Sequence, residues 1–112
     1  MRFLFLIHGD RDAEAALTPV ERRAIVDAHM SFAEMLRERG AYVLGEALAD
    51  DAAVVRPGHR PIVTDGPFAE TKEGIGGFYV VDCQRRDEAL ELAAKVPPSP
   101  GALVEVLGIV DV

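Results

Sequence analysis

Arg2-Phe3-Leu4-Phe5-Leu6-Ile7 places Phe3, Phe5 and Ile7 on one face of an extended chain, and Leu4 and Leu6 on the other. A strand that is apolar on both sides is usually covered on both sides. The run is too short for a signal peptide and far short of the roughly 20 apolar residues of a membrane span. It reads as a buried first strand, and the chain as a cytoplasmic one.

The next element begins at Thr18-Pro19-Val20-Glu21, which sets out an N-cap, a first-turn proline and a capping-box glutamate in order. Gly40 supplies the stop. The helix expected over 19–39 is about 30 Å long at 1.5 Å per residue. On a helical wheel Ile25, Phe32 and Leu36 fall within about 40° of one another, with Ala28 and His29 at the flanks. Glu21, Arg22, Glu34, Arg37 and Glu38 fall mostly elsewhere.

Beyond Gly40, residues 41–48, Ala52–Arg56 and Pro61–Thr64 read as a meander of antiparallel strands, punctuated by Asp50-Asp51 and Pro57-Gly58. Asp65-Gly66-Pro67 breaks the last of them, and a loop runs through Glu73. Ile75–Cys83 is a further strand, whose internal Gly76-Gly77 signals a bulge or a close backbone approach. Arg86–Val96 forms a second helix ended by Pro97-Pro98, and Leu103–Val110 a last strand.

The order is β-α-β-β-β-α-β, an elaborated split β-α-β arrangement of the ferredoxin-like α+β class. The 112 residues form a single domain, and with 49% apolar residues the chain can bury a real core. Two helices cover only one face of the sheet, yet the first strand is apolar on both. A second copy packed sheet against sheet is the economical cover, so the expectation is a homodimer.

The formal charge of −7, from 19 acidic and 12 basic residues, opposes general binding to nucleic acid or anionic membrane. Cys83 is the only cysteine, which rules out an internal disulfide. Three histidines and one cysteine without ligand spacing support no metal. No P-loop, dinucleotide fingerprint or nucleophile elbow supports a cofactor.

Val63-Thr64-Asp65-Gly66-Pro67-Phe68-Ala69-Glu70-Thr71-Lys72-Glu73, followed by Gly76-Gly77-Phe78-Tyr79, resembles the signature of the DGPF subgroup of the YCII-related proteins. Gly40 with Glu46-Ala47-Leu48, Glu88-Ala89-Leu90, and Pro97, Gly101 and Val104-Glu105-Val106 extend the resemblance along most of the chain. It implies a dimeric α/β barrel made of two ferredoxin-like units. Some relatives occur beside or fused to sigma factors, which implies a regulatory protein partner as an alternative to a small-molecule ligand. Other barrels of this type include monooxygenases and isomerases, an analogy of fold alone. The last strand departs from the family's usual Glu-Val-Arg-Pro, because Leu107-Gly108 follows Glu105-Val106. Ligand identity is therefore not carried over.

The resemblance also implies a histidine–aspartate active site in the wider group, matched here by His8 and Asp65 as candidate catalytic residues. Asp65, at a strand end, suits a general base or a ligand anchor, and equally an Asx turn capping its own loop. Glu70, Lys72 and Glu73 form either a solvated charged loop or a rim where Lys72 neutralises an anion while a glutamate handles a proton. His29 is either a hydrogen-bonded core group or a ligand contact, and Tyr42, Phe68 and Tyr79 are either core or the wall of a cavity between sheet and partner. These residues compose a candidate small-molecule pocket near the Asp65–Glu73 loop. Cys83 beside Asp82 is not a candidate nucleophile, because a neighbouring acid raises a thiol's pKa.

Overall fold

The computed structural model describes residues 1–65 and 73–112, without the side chains of Asp65 and Glu73. Strand β1 (Arg2–Asp10) runs through the middle of a four-stranded antiparallel sheet with β2 (Tyr42–Ala47), β5 (Glu73–Asp82) and β6 (Leu103–Gly108), in the order β2-β5-β1-β6. Both β1 and β2 run antiparallel to β5, so they run the same way, joined through α2 (Pro19–Glu38) with β5 between them. The same holds for β5 and β6 about β1, joined through α3 (Arg86–Ala93). This is the ferredoxin-like α+β arrangement expected from the sequence.

Strand β1 buries Phe3 and Phe5 of one apolar face, with Ile7 partly buried beside them. Phe3 and Phe5 meet Val81 and Tyr79 across the ladder, and Phe32 and Leu36 of α2 with Ala89 and Leu92 of α3 close over them. Burying a large side chain of this kind stabilises the fold by roughly 1.5–3 kcal/mol. The opposite face carries Leu4, Leu6, Phe78 and Val80, all half-buried, with Leu44, Leu103 and Leu107 exposed at its flanks. In the single chain this face has no cover among the described residues.

Helix α2 begins as the sequence predicts. The Thr18 hydroxyl accepts from the Glu21 amide at 3.1 Å, and the Glu21 carboxylate accepts from the Thr18 amide at 2.9 Å. At the other end Gly40 takes a φ of 70°. Its amide donates to the Arg37 carbonyl, and the Ala41 amide to that of Leu36, which together make a Schellman stop.

Several boundaries differ from the sequence reading. Strand β1 extends to Asp10, so His8 lies within it. A short helix, α1 (Arg11–Ala15), follows at once, because the Asp10 carboxylate accepts from the Ala13 amide and caps a turn the sequence reading passed over. Strands β3 (Ala53–Arg56) and β4 (Ile62–Asp65) pair with each other in a separate two-stranded sheet rather than continuing a meander. Here β5 takes the place beside β2 that β3 was expected to fill. Helix α3 stops at Ala93, three residues early. Lys95 and Val96 donate to carbonyls three residues back, the tight winding that precedes Pro97.

Gly76 of β5 has two roles. Ile7 pairs with Gly77 and His8 with Ile75, which leaves Gly76 as the extra residue of a bulge. Its carbonyl accepts from the Leu48 amide at 2.9 Å.

Candidate functional site

A cavity of about 460 Å³ opens between α2 and the sheet near the β2 edge. Its helix wall is the stripe Arg22, Val26, His29 and Ala33, spaced three and four residues apart and therefore on one face. Its sheet wall includes Ile7, Tyr42, Gly45, Gly77 and Tyr79, and Glu14, Leu17 and Ser99 close one end.

Within that wall, His29 Nδ1 lies 2.7 Å from the Tyr79 hydroxyl. The two rings stack at 16° with centroids 5.9 Å apart, and Phe32 meets Tyr79 edge-on at 5.1 Å. The ring of Tyr79 occupies space that only glycine leaves open. A Cβ at its cross-strand partner Gly45 would sit 2.5 Å from a Tyr79 ring carbon. Arg37 lies over the Tyr42 ring, 4.3 Å from its centroid, and holds that second phenol in place.

Burial lowers the pKa of His29 below 6.5 because it penalises the imidazolium. Burial, and secondarily Tyr42, raises that of Tyr79 above 10.0. Both groups are then neutral near pH 7, sharing one short hydrogen bond. A neutral imidazole beside a phenol provides a proton acceptor and a donor in direct contact, the elements of acid–base chemistry.

His8 belongs to the other side of the sheet. It follows Leu4 and Leu6 in the alternation of β1, and its Nε2 lies 2.9 Å from a carboxylate oxygen of Glu105 on β6. Side-chain exposures of 23% and 53% leave this pair partly open to water. A single chain therefore keeps His8 out of the cavity that His29 and Tyr79 share. Phe68, Glu70 and Lys72 lie outside the described residues, as do the side chains of Asp65 and Glu73. Asp65 is placed by its backbone alone, opposite Ala53.

Arg22, Glu14 and Gly45 are among the cavity residues that escaped the sequence reading. Arg22 was assigned to the solvent face of α2, although it lies seven residues from His29, two helical turns along the same stripe. Glu14 belongs to the helix that was missed. Gly45 carried the one available signal, a glycine inside a strand. Cys83 is buried in the core, where burial, Glu88 and Asp82 push its thiol up, as expected. Among the described residues no three His, Cys, Asp or Glu side chains converge as a metal site, and no helix is long and apolar enough to cross a membrane.

The family model for the YCII-related domain matches residues 1–112 of this sequence. The chain belongs to the YCII-related family. An uncharacterized protein of Rhizobium meliloti (strain 1021) is 54% identical over 44 residues, which cover 37% of this chain and 36% of that protein. The chain thus matches about a third of that relative's length, and the family membership rests on the match across all 112 residues.

Proposed function

We propose that this YCII-related protein binds a small, mostly apolar molecule in the cavity between α2 and the sheet, and that His29 and Tyr79 handle a proton there. One observation carries the reading: a 2.7 Å histidine–tyrosine contact in the wall of a cavity of about 460 Å³. Strand β5 adds a link to the Asp65–Glu73 loop, since it leads from Glu73 to Tyr79. The working form is a homodimer, in which a second copy covers Leu4, Leu6, Phe78 and Val80.

A thermal-shift screen of small apolar compounds tests the binding. Ligand at about 100 times its dissociation constant stabilises the native state by roughly 2.7 kcal/mol, a shift of several degrees in a domain this size. Ala33→Phe should fill the cavity and remove the shift. Compounds that stabilise wild type and variant equally overturn the reading. A screen without any hit overturns it too, and favours a regulatory module that binds a protein partner.

A further inference from the structure

The end of the cavity away from His29 and Tyr79 holds two opposite charges that do not pair. Glu14 and Arg22 both line it, yet among the described residues neither makes an ion pair. The Arg22 guanidinium donates to the Glu14 backbone carbonyl at 3.1 Å, which positions it and leaves most of its five donors unused. The Glu14 carboxylate turns the other way. It is half-buried over Gly9 of β1, so close that a Cβ on Gly9 would collide with it. Ser99 lines the same cavity.

Resting on the reading of the cavity as a ligand site, we infer that its ligand is a zwitterion with an apolar tail, the chemistry of an α-amino acid with a large apolar side chain. The carboxylate pairs with Arg22 and the ammonium with Glu14. A purely anionic head would lie beside the half-buried Glu14 carboxylate, and a purely cationic one beside Arg22. The first would leave the half-buried Glu14 carboxylate without a partner, which is costly, and the second would leave the exposed Arg22 guanidinium to water. A ligand that carries both signs on adjacent atoms satisfies both. Seven residues of α2 separate Arg22 from His29, about 10 Å at 1.5 Å per residue. A side chain of phenylalanine length covers about half of that distance, past Val26 towards the His29–Tyr79 pair. Arg22 and Glu14 thereby select the ligand, while the apolar wall sets the size of its tail.

Four probes of one shape separate the possibilities in calorimetric titration: phenylalanine, 3-phenylpropanoate, 2-phenylethylamine and 2-phenylethanol. Phenylalanine should bind at least about tenfold more tightly than either singly charged probe. Arg22→Gln should abolish its advantage over the amine, and Glu14→Gln its advantage over the acid. Circular dichroism checks that each variant is folded. If 2-phenylethanol binds wild type but not Ala33→Phe, and phenylalanine binds no better, the cavity reading stands and the zwitterion inference falls. Unchanged rankings in both folded variants overturn it equally. If none of the four probes binds, the inference and the reading beneath it both fall.

Discussion

Replacing Gly45 with alanine should disturb the candidate site from beneath. The new Cβ would lie 2.5 and 2.8 Å from two ring carbons of Tyr79, and 3.3 Å from the Phe78 carbonyl oxygen. The Tyr79 ring is held on its other side by Phe32 and His29, so it cannot yield without breaking contacts. Overpacking of this sort costs roughly 1–3 kcal/mol, a fall in melting temperature of roughly 4–12 °C for a domain near this size. Gly76→Ala is the control, because a Cβ there meets only the Ile7 carbonyl oxygen at 3.9 Å. The second readout is local. Displacing Tyr79 opens the pocket around His29, whose pKa should rise back towards 6.5. Only three histidines titrate, so proton NMR resolves the change. Equal melting temperatures for the two variants, with His29 titrating as in wild type, would refute the idea that Gly45 seats the Tyr79 ring.

The depressed pKa of His29 also sets a pH dependence. The unfolded chain binds the imidazole proton more readily than the native one, so stability falls as pH drops below 6.5 and levels off under the native pKa; urea unfolding of wild type against His29→Gln should show the slope flattened in the variant. Phe5 is fully buried, and Phe5→Ala should cost about 3–5 kcal/mol, visible as partial unfolding at room temperature; a loss below about 1 kcal/mol on urea unfolding would contradict the packing described. Leu107 is 38% exposed in the single chain, so Leu107→Lys should leave the fold intact while sedimentation shows a dimer giving way to monomers; a mass unchanged from that of wild type would count against pairing through this face.

The fold was largely legible because its signals are local. Thr18 to Glu21 and Gly40 bracket α2 to within a residue, and the period-two pattern of Phe3, Phe5 and Ile7 identified the buried strand. The antiparallel pairing of β3 with β4 fits the expected meander, but their separation from β2 was not legible, since which strand sits beside β2 is settled by β5, some thirty residues later in the sequence. Helix α1 was missed because its five residues bury nothing completely, which leaves the Asp10 cap as its main signal. The site was legible in its parts but not in its company. His29 and Tyr79 were each singled out as candidates, yet their contact joins residues fifty positions apart. Nothing in a single sequence pairs them. His8 was singled out with Asp65, whereas its described carboxylate partner is Glu105, ninety-seven positions away on the neighbouring strand.

The bulge at Gly76 has a consequence for how this family can vary. Side chains along a strand alternate, so one surplus residue reverses the parity of everything on one side of it. Ile75 faces the same side as His8, and Tyr79 the opposite side, although both have odd numbers. Deleting Gly76 would remove the bulge and leave Ile75 opposite His8, on the side of the sheet it already occupies. A residue gained or lost between Gly77 and Tyr79, by contrast, would turn Tyr79 away from His29. Gly76 marks a place in β5 where the residue count can change while Ile75 and Tyr79 keep their sides.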